Sequence, residues 1–127
     1  MRHDYIDDIA SCPVANVQKI IRGKWTMVIV YFLSQNQVLR FSELKRKIPQ
    51  VTEANLTKEL RTLESFGLIH REVYREVPPK VEYSLTAIGR KIIPVLEALE
   101  KWALEYEDAL IVDGNITGSS KQHENLC

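Results

Sequence analysis

The sequence predicts a mainly α fold with a small β-hairpin wing (α+β), and three observations carry that prediction. Apolar residues recur at helical spacing over residues 14–21, 56–63 and 88–106, and a fourth stretch, 25–33, is apolar almost all round. The pattern switches to period two only over residues 68–85, and Gly or Pro marks most segment ends. The 127 residues, 45% hydrophobic and 27% charged, are enough for one globular domain with its own core.

The first helix is expected at about 13–22. Pro13 suits the first helical position, where a missing N–H is not felt, Cys12 takes the N-cap, and Gly23 follows the apolar set Val14, Val17, Ile20 and Ile21. A second helix, Trp25 to Ser34, has the composition of a central buried helix. Gln35-Asn36-Gln37 reads as a turn and Val38 to Phe41 as a short strand, with Ser42 capping a brief helix from Glu43 to Ile48. Pro49-Gln50 breaks that helix. Thr52 then caps a longer one whose Leu56, Leu60 and Leu63 share a face, and Gly67 ends it. Leu68, His70, Glu72 and Tyr74 alternate with Ile69, Arg71, Val73 and Arg75; beyond Pro78-Pro79, Val81, Tyr83 and Leu85 form the second strand of a hairpin with a basic tip. Thr86 caps a last helix over about 87–110, and residues 113–127 read as a flexible polar tail behind a domain spanning 1–112.

Seventeen Lys and Arg balance seventeen Asp and Glu, which argues against a polybasic protein. By position the balance dissolves: residues 1–39 sum to +1, 40–80 to +3 and 81–127 to −4. A basic middle and an acidic end suit a nucleic-acid-facing module joined to a helix with a different task. The longest apolar run falls well short of the roughly 18 residues of a membrane span, and the first eight residues carry three acids and no cleavage pattern of a secretory signal. No membrane association is expected, and cytoplasm is the expected compartment.

Helix, helix, short strand, short helix, turn, longer helix and hairpin is the order of a winged helix-turn-helix, whose second turn helix enters the DNA major groove. With Leu56, Leu60 and Leu63 inward, Ala54, Asn55, Thr57, Lys58 and Arg61 face away from the core. Asn55 suits adenine, Arg61 guanine or phosphate, Lys58 phosphate, and the Ala54 methyl thymine; the bland alternative is an ordinary solvated helix face. Arg75 and Lys80 beside the tip prolines suit phosphates, and Arg40, Ser42, Lys45 and Thr52 lie near helix starts where an anion is favoured.

The chain resembles the HxlR-type winged-helix transcriptional regulators, relatives of the MarR group. The matching motifs are Cys12-Pro13, Gly23-Lys24-Trp25-Thr26, Arg40-Phe41-Ser42-Glu43-Leu44, Leu56-Thr57 with Leu60 and Leu63, Gly67-Leu68-Ile69, and the run Val77 to Thr86. Gln50 stands where the family often has Gly before the recognition helix. The resemblance implies a homodimer, commonly a repressor, joined through added N- and C-terminal dimerisation helices and bound to double-stranded DNA at an inverted-repeat operator. Val14, Val17, Ile21, Val95, Leu99, Trp102 and Tyr106 are the expected interface, the alternative being plain intramolecular core.

Cys12 at a helix N-cap sits where the helix dipole favours thiolate. The resemblance adds a redox or electrophile-sensing role for it, with Cys127 as a candidate second thiol, against the plain reading of a small packed residue and a terminal bystander. A small-molecule or electrophile effector is compatible with either. His3, His70 and His123 have no metal-ligand spacing, Glu43, Glu53, Glu59 and Glu64 read as ion-pair partners, and no catalytic triad or phosphate loop is present. No enzyme, metal or cofactor is therefore expected. The rival functional classes are a winged-helix protein-interaction module and a regulator binding a small aromatic ligand through Trp25, Tyr31, Trp102 and Tyr106.

Overall fold

A computed structural model describes residues 11–112, with side chains to residue 110. Its elements are α1 (Pro13–Ile21), α2 (Thr26–Ser34), β1 (Leu39–Arg40), α3 (Phe41–Lys47), α4 (Glu53–Ser65), β2 (Ile69–Tyr74), β3 (Lys80–Leu85), α5 (Ala87–Arg90) and α6 (Ile93–Val112). The expected tail, 113–127, and with it Cys127, lies outside the described residues. Among the described residues, no helix is long and apolar enough to cross a membrane.

The three strands form one antiparallel sheet in the order β1-β3-β2. Leu39 pairs with Tyr83, and the hairpin runs in register from Ile69 opposite Leu85 to Tyr74 opposite Lys80. Ile29, Val30 and Leu33 of α2, Leu44 of α3, Leu56, Leu60 and Leu63 of α4, and Ile69 and Leu85 of the hairpin are buried. Each such side chain contributes roughly 1.5–3 kcal/mol through removal from water, and three of them fix which face of α4 turns inward.

The helix ends follow local chemistry. The Thr52 hydroxyl accepts the Asn55 N–H (3.1 Å) at the start of α4, and the Thr86 hydroxyl accepts the Gly89 N–H (3.1 Å) at the start of α5. Gly67 closes α4 at φ +79°, the left-handed conformation an L side chain disfavours. Among the described residues no other type has positive φ, so Gln50 completes the turn before α4 without needing glycine. Two expectations are corrected. Ser42 is not a cap: α3 begins at Phe41 with Arg40 at the N-cap, and the Glu43 carboxylate accepts the Arg40 N–H at 2.7 Å. Nor is 87–110 one helix: α5 ends at Arg90 and α6 begins at Ile93. Pro94 is the cause, since it has no N–H for the Arg90 carbonyl and its ring would strike that carbonyl.

The chain divides after Arg90 into two compact units. In the first, α1 has no buried residue, although its apolar positions share one face. In the second, Leu96 is the one buried side chain among the described residues of α6.

Candidate nucleic-acid interface

Two helices meeting through a tight turn require a buried seam, and here Ile48 and Val51 supply it between α3 and α4. With that turn anchored and its leucines inward, α4 presents Ala54, Asn55, Lys58 and Arg61 to solvent, and Thr57 is half-exposed. The sequence-predicted face is therefore one continuous surface over the first three turns of the helix. Thr52 stands at its start, the oxygen of its hydroxyl committed to the cap but the O–H still able to donate.

The hairpin beyond Ile69 is exposed along all of β2, and its tip holds Arg75 in solvent. Lys80 is less available. Its ammonium lies 4.4 Å from the centroid of the Tyr74 ring, 3.8 Å from Glu76 and 4.0 Å from Glu82. Tyr74 in turn has its phenol pKa raised, first by a hydrogen bond to Glu82 and then by the charges of Glu82, Glu72 and Glu76. These groups hold one another where the two strands meet the tip, and Arg75 stands exposed beside them. Lys45 is likewise drawn inward, donating to the Pro49 carbonyl at 3.1 Å, whereas Arg40 and Ser42 are exposed at the start of α3.

A groove of about 260 Å³ runs between α4 and the hairpin, lined by Thr57, Leu60, Arg61, Glu64, Arg71 and Tyr83. It brings Arg71 beside the Arg61 surface. Sequence reading did not single out Arg71, yet the signal was present: period two places it on the same face of β2 as the buried Ile69, the face turned towards α4.

Two glutamates expected as ion-pair partners accept hydrogen bonds at helix starts instead. Glu43 caps α3, as described above. Glu59, half-buried on α4, accepts the Trp25 N–H (3.4 Å) and the Thr26 hydroxyl (3.5 Å) at the start of α2. A carboxylate suits that end of a helix, and the approach requires Gly23: a Cβ there would overlap the Thr26 hydroxyl and lie 2.7 Å from the Glu59 carboxylate. The recognition helix is thereby tied to the turn that follows α1.

Cys12 occupies the expected N-cap of α1, half-exposed and free, and its carbonyl accepts the Asn16 N–H at 2.9 Å. Its sulfur makes no capping hydrogen bond. Val14, Val17 and Ile21 on α1 are exposed, from 37% to 62%, as are Val95, Leu99, Trp102 and Tyr106 on α6. Trp102 stacks on Tyr106 at 5.1 Å, and Tyr31 packs edge-on against Phe32 at 5.7 Å. Among the described residues no cluster of metal-ligating side chains occurs, and His70 bonds Glu72 on the exposed hairpin.

The family model of the HxlR-like helix-turn-helix matches residues 20–110. The chain belongs to this family. It is 45% identical over 104 residues to the HTH-type transcriptional regulator YdeP of Bacillus subtilis strain 168, covering 82% of this chain and 80% of that one. Among solved structures it is similar to a MarR-family transcriptional regulator of Porphyromonas gingivalis W83, with a TM-score of 0.70, 43% identity, and coverage of 75% of this chain and 92% of that one. It is also similar to the redox regulator HypR. The reduced form of HypR gives a TM-score of 0.74 at 40% identity, covering 80% of this chain and 99% of that one; the oxidised form gives 0.67 at 44%, covering 72% and 93%. This HxlR-family chain is thus a helix-turn-helix transcriptional regulator, from a family of regulators rather than enzymes.

Proposed function

We propose that the protein acts as a homodimeric repressor that reads an inverted-repeat operator with α4 and follows the adjacent phosphates with Arg75 at the wing tip. The observation that carries this reading is the division of α4 into a buried leucine face and an exposed face of Ala54, Asn55, Lys58 and Arg61. Asn55 and Arg61 supply base-edge donors, and Lys58, Arg75, Arg40 and Ser42 supply phosphate contacts. Lys80, Lys45 and Thr52 contribute through the groups they brace as well as through any phosphate they reach. Titration of duplex binding against salt tests the reading: affinity should fall steeply as salt rises, and absence of binding at low salt refutes it.

The homodimer rests on the apolar faces of α1 and α6, which the described chain leaves uncovered. Two copies bring two recognition helices to half-sites about one DNA turn apart.

Cys12 is the proposed point of redox control, supported by its position at the N-cap of an interface helix and by similarity to HypR. Oxidation removes two electrons and two protons from a pair of thiols to form one disulfide. Cys127 of the other copy is the candidate partner, and an added oxidant such as diamide is the electron acceptor. The change at the start of α1 would shift the two recognition helices relative to each other and release DNA. A Cys12→Ser protein should hold its operator in diamide; an oxidant response identical to the native one overturns the assignment.

A further inference from the structure

A second groove, of about 630 Å³, lies on the opposite flank of α4 from the hairpin. It is walled by α1, the turn at residues 22–25 and α4 itself. Four cations line it: Lys19, Arg22, Lys24 and Lys58, all exposed. Among the described residues none of the four makes a salt bridge. The Lys24 ammonium is 5.2 Å from the Trp25 ring centroid, a placement that steadies the side chain while leaving its charge unneutralised. Among the described residues the one carboxylate in the wall is Glu59, and it is spent on the Trp25 N–H and the Thr26 hydroxyl. Among the described residues the lining is therefore cationic, with its one anion turned to the start of α2.

We infer that this groove is a third phosphate-binding track, beside the recognition helix and the wing, and that Arg22 and Lys24 hold the backbone of the same DNA duplex that α4 reads. The inference rests on the DNA-binding reading above. Continuity argues for DNA over any other anion. Asn55 and Lys58 belong both to the exposed face of α4 and to the wall of this groove. A duplex seated on that face carries one negative charge per roughly 1.7 Å of its axis along both sides of the helix. The hairpin attends to one flank; the 22–25 turn supplies two of the four cations on the other, beside Lys19 and Lys58. The Gly23 approach and the Glu59 bonds then acquire a role in the contact, because they fix the turn bearing Arg22 and Lys24 against α4 itself. The two cations are positioned by the element they assist.

The test uses the full chain and a duplex recovered by selection from random DNA, with a scrambled duplex alongside. The variant is Arg22→Ala/Lys24→Ala. Lys91→Ala/Lys101→Ala, which removes the same charge from exposed sites elsewhere, is the control. The slope of log affinity against log salt should become shallower by about 2 per bound protomer in the first variant. The loss should be equal on selected and scrambled DNA, and ethylation interference should lose the phosphates that these two residues touch. The control should retain the native slope and interference pattern. Native binding with an unchanged slope in Arg22→Ala/Lys24→Ala, or the same slope change in the control, overturns this inference and leaves the DNA-binding reading standing. A native protein that binds no duplex at low salt overturns both.

Discussion

Truncation of Trp102 tests the proposed partner surface most sharply. Trp102 leaves 57% of its surface exposed and stacks on Tyr106 of its own helix. A large aromatic buries on the order of 200 Å², so about 115 Å² awaits a partner at that exposure, worth roughly 3 kcal/mol at about 25 cal/mol per Å². Alanine forfeits most of it, about 2–3 kcal/mol per copy. A two-fold interface counts the loss twice, which weakens the dimer by roughly 10³- to 10⁴-fold. The fold of each chain should survive, since the site is exposed and alanine favours helix more than tryptophan does. Sedimentation equilibrium over a wide protein concentration range reads the dissociation constant, and circular dichroism checks helix content. A variant that dimerises within threefold of the native chain, or a native chain that is monomeric throughout, refutes the reasoning.

Arg61→Ala or Asn55→Ala should lose about 1–3 kcal/mol of discrimination between selected and scrambled DNA, whereas Arg75→Ala should weaken both alike. Competition binding separates these outcomes, and equal losses for all three would remove the base-contact assignment. Gly23→Ala should destabilise by about 1–3 kcal/mol in thermal unfolding, because the new methyl meets Thr26 and Glu59. Adding Glu59→Ala should recover part of that loss, and strict additivity of the two substitutions would contradict the described contact. Gly67→Ala, placed at φ +79° with open space around it, should lose about 1–2 kcal/mol from backbone conformation alone. An unchanged melting temperature would argue against the left-handed turn.

Much of the fold was legible because it rests on local rules. Pro13, Thr52, Thr86 and Gly67 mark ends that hydrogen bonds and φ values now account for. The leucine spacing of α4 gave the inward face, and so the outward one. What escaped depended on contacts between elements. Nothing near Glu59 in sequence announces that its carboxylate serves Trp25 and Thr26, more than thirty residues away. Lys80 read as a tip cation because Tyr74, whose ring its ammonium overlies, becomes its neighbour only through the strand register. The break before α6 was legible in principle: Pro94 stands four residues after Arg90, and the apolar periodicity running through it hid its effect.

In the proposed complex two copies of α4 read one operator together. Selection from random duplexes by the full chain, followed by alignment of the recovered sequences, tests it most directly. The expected result is an inverted repeat whose half-sites are centred about 10–10.5 base pairs, or a multiple of that, apart. Recovery of an isolated half-site, or no enrichment over the starting pool, would contradict it.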